Sequence, residues 1–176
     1  MKTRHVTTPT GEAFDVPQGI QRLDSHSTRG WQVRYHGTKY YPDGQVGADK
    51  ALVAATKDLL RRIATMPAPV SLRKAPSATK SSSLPVGISG PIVVRAAGSD
   101  AQSAFLSVLM PRFGRPNEVK NIYIGSQSTY TKTRYRAAVA EAIEIRAESV
   151  AQYEEEATRA KRKAANQLKK SLAAAR

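Results

Sequence analysis

Two stretches of the chain repeat one order of hydrophobic and polar positions. In each stretch, an apolar segment near a glycine is followed by a second segment that is apolar or alternating. A tight turn, a third segment that contains tyrosine and a long alanine-rich segment come next. Alternation with period two predicts a half-buried β-strand, whereas apolar positions three or four residues apart predict an amphipathic helix. The order therefore predicts an internal duplication of one small module, a three-stranded antiparallel sheet packed on one α-helix.

The first module is predicted within residues 17–66. Its alternation is clearest in residues 30–36, which place Trp31, Val33 and Tyr35 on one face and Gln32, Arg34 and His36 on the other. Apolar residues at helical spacing predict a helix from Ala48 to about Thr65, and Pro67 ends it. We expect the helix to cover the apolar face of the sheet and to leave the polar face in water.

The second module is predicted within residues 86–152. Its strands are expected within residues 86–95, 104–110 and 119–125, and its helix begins near Ser128 or Thr131. The helical stripe expected against this sheet comprises Tyr135, Val139, Ala142, Ile143, Arg146 and Val150. Beyond residue 152 the stripe fades, but neither Gly nor Pro interrupts the sequence. Residues 153–176 are therefore predicted to form a charged helical tail that runs into solvent.

Two further segments lie outside the predicted modules. Residues 1–16 are predicted to form a flexible N-terminal arm, and residues 67–85, rich in proline and serine, a basic linker. The predicted fold class is α+β: two small modules, each a three-stranded antiparallel sheet packed on one α-helix, with a long C-terminal helix.

Composition excludes several classes of protein. The chain has 176 residues, with 28 Lys and Arg against 14 Asp and Glu, and a formal net charge of +14. The absence of cysteine excludes disulfide scaffolds, thiolate zinc sites and cysteine catalysis. No apolar run approaches the roughly 20 residues of a membrane span. We therefore expect no membrane contact and a cytoplasmic, nucleoid-associated location.

The sequence also gives no sign of enzyme activity, a cofactor or a metal. The three histidines are too scattered for a metal site, and no phosphate-binding loop or hydrolase motif occurs. Glu141, Glu144 and Glu148 are at helical spacing, which is typical of a solvated helix face. The high positive charge instead predicts a polyanionic partner, because Lys and Arg displace counterions condensed on nucleic-acid phosphates.

The first module carries a strand with the pattern G-W-x-V-R, a strand with basic and aromatic residues, and a helix with the pattern A-L-x-x-A. These positions are Gly30, Trp31, Val33 and Arg34, then Lys39, Tyr40 and Tyr41, then Ala51, Leu52 and Ala55. In this order they resemble the AP2/ERF-type DNA-binding domain of bacterial and phage proteins. The second module is similar to the third strand and helix of that family at Asn121, Ile122, Tyr123, Ile124, Gly125 and Ser126 and at Tyr135, Ala138, Ala142 and Arg146.

The resemblance implies that the open face of the sheet lies in the major groove of double-stranded DNA. It implies a sequence-specific transcription regulator of phage or mobile-element type. Carried onto this chain, the candidate DNA-contacting residues of the first module are Gln21 or Arg22 on the first strand, Gln32, Arg34 and His36 on the second, and Lys39 and Tyr41 on the third. Arg34 is the strongest candidate, because arginine can bond O6 and N7 of guanine with two hydrogen bonds.

The second module departs from the family pattern, because its middle strand lacks Gln and Arg. The DNA contacts expected there come from Arg95, Lys120, Asn121 and Tyr123. An exposed apolar face would instead favour a dimer or partner surface, so the second module or the C-terminal helix is a candidate site for homo-oligomer formation. The alternative functions are a general RNA- or ribosome-associated basic protein and a DNA-architectural scaffold.

Overall fold

The computed structural model describes residues 1–95, 97–98 and 100–174. Over these residues the chain forms three antiparallel sheets and two α-helices, so the predicted α+β class is confirmed. The chain divides into two compact units. The first unit comprises residues 1–69 together with the chain from Ala157 onward, and the second comprises Val70–Glu156.

The first unit contains two sheets and one complete helix. Its elements are β1 (Thr3–Thr7), β2 (Ala13–Pro17), β3 (Ile20–Asp24), β4 (Arg29–Arg34), β5 (Thr38–Pro42) and α1 (Ala48–Thr65). Strands β1 and β2 form a two-stranded sheet, and β3, β4 and β5 form a three-stranded sheet in that order. The predicted helix boundaries are confirmed, and so are the three strands of the first module, except that β4 ends at Arg34 and not at His36.

The core of the first unit lies between β4 and α1. Trp31, Val33 and Tyr35 are buried as the alternation predicts, and they pack with Leu59 and Ile63 of the helix. The Trp31 indole Nε1 donates a hydrogen bond of 2.8 Å to the backbone oxygen of Ala48. This bond satisfies the polar atom of the largest buried side chain and fixes the start of α1 over the sheet.

The N-terminal residues form a hairpin, so the prediction of a flexible arm for residues 1–16 is wrong. Val16 is fully buried, and the Phe14 ring meets Trp31 edge to face at 5.6 Å between centroids. Strands β1 and β2 pair from Thr3 opposite Pro17 to Thr7 opposite Ala13. Burial of these two side chains against the tryptophan stabilises strands whose other positions are mostly polar.

The second unit is one sheet covered by the first part of a long helix. Its elements are β6 (Ile88–Arg95), β7 (Gln102–Met110), β8 (Glu118–Ser126) and α2 (Lys132–Ala174), and the strand order is β6-β7-β8. Residues 67–85, all described, form neither helix nor strand, as expected of the predicted linker, and β6 begins at Ile88 rather than at residue 86.

The helical stripe in the second unit differs from the predicted one. Ala138 and Ala142 are buried against the sheet, and Ile145 packs beside them. Ile143, predicted to face the sheet, is exposed. Ala138 and Ala142 therefore contribute to the buried contact with the sheet although the hydrophobic signal of alanine is weak.

The end of α2 belongs to the core of the first unit, and the prediction of a solvated tail for residues 153–176 is wrong for the described part. Ala157, Ala165 and Leu168 are buried. The Met1 amino group donates to the backbone oxygen of Ala164 at 3.2 Å, and the Ala68 amide donates to Thr158 Oγ1 at 2.9 Å. These contacts attach Met1 and Ala68, which lie before and after the first module in the sequence, to α2.

Candidate nucleic-acid interface

The strand pairing determines which side chains lie on the sheet face away from α1. Residues directly opposite each other in an antiparallel pair share a face. Gln32 lies opposite Gln21 and Tyr40, whereas buried Trp31 lies opposite Arg22 and Tyr41. The face away from the helix, called the open face below, therefore comprises Gln21, Leu23, Gln32, Arg34, Thr38 and Tyr40.

Arg34 and Gln32 form the polar centre of the open face. The Arg34 Nε donates to the Gln32 amide oxygen at 2.6 Å, and the Arg34 side chain is exposed. Gln21 lies directly opposite Gln32 on the neighbouring strand. The contact pre-orients two side chains that carry donors and acceptors suited to base edges.

Tyr40, which sequence reasoning did not select, completes this face. Its hydroxyl donates to the backbone oxygen of Arg29 at 2.7 Å. A Cβ atom at Gly30 would lie 2.8 Å from the Tyr40 ring, so glycine gives the ring room to cross the strand. The ring thereby forms a fixed apolar border beside Gln32.

Two cations of the N-terminal hairpin also adjoin the open face. Lys2 and Arg4 line a depression of about 390 Å³ together with Gln21 and Arg34. The Arg4 guanidinium donates to the backbone oxygen of Ile20 at 3.3 Å, which positions it beside β3. Sequence reasoning missed both residues because it treated the first 16 residues as an arm.

Arg22 is not on the open face, so its predicted placement is wrong. It lies opposite Trp31, with its guanidinium 4.9 Å from the centre of the indole ring. It donates to Asp24 at 2.7 Å and to Asp43 at 2.6 Å, and its side chain is only 8% exposed. Burial disfavours the charge, but the bonds to the two carboxylates outweigh it and raise the pKa of Arg22.

Lys39 and Tyr41 also lie on the helix side of the sheet. Lys39 is opposite Val33, and its ammonium group lies 5.2 Å from the centre of the Tyr41 ring. Burial and a hydrogen bond to Asp58 raise the pKa of Tyr41 to about 12. The predicted placement of Lys39 and Tyr41 on the open face is therefore wrong. The turn between β4 and β5 is one residue longer than the sequence pattern indicates, and a shift of one residue moves every side chain of β5 to the other face.

The His36 ring is directed away from the open face as well. His36 has a φ of 48°, which places it in the turn after β4 rather than in the strand. Its Nε2 lies 2.7 Å from the backbone oxygen of Pro67. Strand alternation does not extend to this residue, so the predicted groove position is wrong.

The predicted residues of the second unit divide between the two faces of its sheet. Asn121 and Tyr123 lie opposite Ser107 and Phe105 on the face away from α2, as expected. Lys120 lies opposite buried Val108 and Arg95 opposite Gln102, so both belong to the helix side. The expected placement of Lys120 and Arg95 is therefore wrong, because strand parity assigns alternate residues to opposite faces.

Two other types of site are absent from the part of the chain that the structure describes. No helix there is both long and apolar enough to cross a membrane. The described part of the chain also contains no cluster of three or more His, Cys, Asp or Glu side chains placed to hold a metal ion. Comparison with models of known protein families, with curated proteins and with solved structures finds no match.

Proposed function

We propose that the chain binds double-stranded DNA sequence-specifically through the open face of the β3-β4-β5 sheet and acts as a transcription regulator. The observation that carries the proposal is the composition of this face. It presents Arg34, Gln32 and Gln21 together, without a carboxylate among its residues, on the side opposite the core. The likeness of the strand and helix patterns to AP2/ERF-type domains of bacterial and phage proteins supports the same function.

The geometry of the face suits the major groove. That groove is about 12 Å wide and admits a small β-sheet, with every second side chain directed at base edges. Arginine can take both acceptors of guanine, and glutamine can pair with N6 and N7 of adenine. The contact between Arg34 and Gln32 places these two groups side by side for adjacent bases.

The hairpin supplies contacts of a second kind. Lys2 and Arg4 border the depression beside β3, and in the proposed complex they contact the phosphates that flank the groove. Phosphate contacts give affinity and register without reading sequence. The proposed site therefore combines a base-reading face with a phosphate-binding edge.

Selection of bound fragments from a random duplex pool, followed by titration of variants, tests the proposal. Arg34→Ala should lose about 1–3 kcal/mol on the selected duplex and relax the preference at one base pair. Lys39→Ala removes a cation from the opposite face of the same sheet, so it serves as the matched control and should leave binding to selected and random duplexes nearly unchanged.

Equal losses on selected and random duplex for Arg34→Ala would refute base reading by this face. Failure to select any duplex, with tight binding to single-stranded or structured RNA, would favour the RNA-associated alternative.

A further inference from the structure

The second unit exposes an apolar face on the side of its sheet away from α2. The strand register assigns to this face Ser89, Ile92, Val94, Ser103, Phe105, Ser107, Leu109, Val119, Asn121 and Tyr123. Val119 is 55% exposed, Tyr123 52% and Val94 50%. The Phe105 and Tyr123 rings contact each other at 5.4 Å between centroids, which joins the middle and edge strands. Contiguous exposed apolar patches of this kind mark interaction surfaces.

None of the ten residues of this face carries a charge, although the chain as a whole has a net charge of +14. A nucleic acid would require cations to neutralise phosphates, and the ten strand residues of this face include none. Arg73 and Lys80 of the preceding segment border the face only beside β6, where they line a hollow with Ser89 and Ile92. A strongly basic chain repels its own copies wherever cations face each other. An uncharged face can meet its own copy without that repulsion, and a two-fold interface brings the same patch of both subunits together.

The size of the face meets the requirement of a weak but specific dimer. Strands of nine residues span about 30 Å, and three strands with overhanging side chains about 20 Å, which gives about 600 Å². Two such faces bury about 1,200 Å² in total, the lower end of the range for specific interfaces.

We propose that two copies of the chain associate face to face through this apolar surface of the second sheet. Apolar side chains from the two sheets interdigitate as in a β-sandwich. Ser107, Asn121 and the Tyr123 hydroxyl provide neutral hydrogen-bonding groups among them. This association does not depend on DNA binding by the first unit.

Sedimentation equilibrium of the full chain measures the association directly. The monomer mass is 19.1 kDa, so the dimer has twice that, 2 × 19.1 = 38.2 kDa. Raising the salt concentration from about 0.05 M to 0.5 M shortens the screening length from about 14 Å to 4 Å, so dimer formation should strengthen. DNA binding should weaken over the same range, so the two interactions are distinguished by the sign of their salt response.

Val119→Lys and Val94→Lys place a charge within the proposed interface, and each should weaken the dimer at least about ten-fold. Val53→Lys is the matched control, because Val53 is a 44% exposed valine on α1 of the first unit. It adds the same charge outside the interface and should leave the association nearly unchanged. The positions are exposed, so circular dichroism should show folded variants.

A monomer at all concentrations up to about 100 μM and at both salt concentrations would overturn the proposal. A dimer that all three variants leave equally intact would overturn it too, because the interface would then lie elsewhere. Weakening of association by salt in the unmodified chain would show that the contact is electrostatic and would also contradict it.

Discussion

At the residue scale, the Arg22 guanidinium lies between an aromatic ring and two carboxylates. Its side chain covers Trp31 while donating to both Asp24 and Asp43. Removal of the guanidinium would leave two half-buried carboxylates close together without a cation. Such a cation stabilises the fold instead of remaining available for a ligand.

Arg22→Met should therefore lower the free energy of unfolding by about 2–3 kcal/mol, since breaking a buried ion pair leaves its partners uncompensated. Urea unfolding followed by circular dichroism measures the change. Arg29→Met, at an exposed position of the neighbouring strand, should cost less than about 0.5 kcal/mol. Unchanged stability of Arg22→Met together with a lost base preference would restore the role in DNA reading.

The cluster of Asp58 and Tyr41 predicts a pH dependence of stability at both ends of the range. Burial opposes the Asp58 charge, but hydrogen bonds from Arg61 and Tyr41 and the nearby arginine charges outweigh it and lower the pKa of Asp58 below 3.8. The unfolded chain then takes up this proton first as pH falls. The stabilisation is complete above the unfolded value of 3.8 and is lost as pH falls through the lower folded value.

Tyr41 makes the stability of the fold depend on pH at the alkaline end of the pH range. Its pKa is raised from 10.0 to about 12, so its stabilisation is complete below pH 10 and is lost as pH rises toward 12. Thermal unfolding against pH should become flatter in the acid window for Asp58→Asn and in the alkaline window for Tyr41→Phe. Profiles that parallel that of the unmodified chain would contradict the assigned interactions.

At the scale of elements, the β1-β2 hairpin contributes to the first core through its second strand. Val16→Ala should lower the free energy of unfolding by about 2 kcal/mol, from lost transfer energy and a residual cavity. Val46, which is 52% exposed, provides the control, and Val46→Ala should change stability by less than about 0.5 kcal/mol. Identical unfolding curves for both variants would indicate an arm that does not pack.

The alternation of Trp31, Val33 and Tyr35 was sufficient to predict the buried face of β4, since each inward residue is large and apolar. The face of β5 was not predictable in the same way. Its register depends on the turn, and a shift of one residue exchanges Tyr40 with Tyr41 on the open face. The turn contains His36, whose φ is positive. Positive φ is uncommon for a residue other than glycine, so the sequence carries no clear signal of where the turn begins.

Burial of short polar or alanine-rich elements was equally hard to predict. The hairpin buries Val16 within strands that are mostly polar, and α2 buries Ala165, whose single methyl group contributes little to a hydrophobic period. Both depend on tertiary partners distant in sequence. Of the seven groove residues predicted for the first module, three lie on the open face: Gln21, Gln32 and Arg34. Residues that pair with Trp31 or Val33 lie instead on the helix side of the sheet, and the sequence alone does not determine that pairing.

At the scale of the whole molecule, positive charge should govern DNA affinity through counterion release. The slope of log affinity against log salt should change by about 0.9 for each phosphate that the protein no longer neutralises. Lys2→Ala and Arg4→Ala should each make the slope shallower by that amount on selected and random duplex alike. Lys39→Ala is the control, and an equal change of slope for all three variants would contradict phosphate binding at the hairpin edge.

The packing of Ala165 beside Val16 and Trp31 has a consequence for the synthesis of the chain. A ribosome makes the sheet and α1 of the first unit long before it makes this part of α2. Contacts between residues so distant in sequence form late, because closing a long loop costs entropy before any contact offsets it. The buried core of the second unit runs from Leu84 to Ala142, with Ile145 packed against it. This unit can therefore complete its fold on the ribosome before the last turns of α2, which the earlier-made unit requires, have been synthesised.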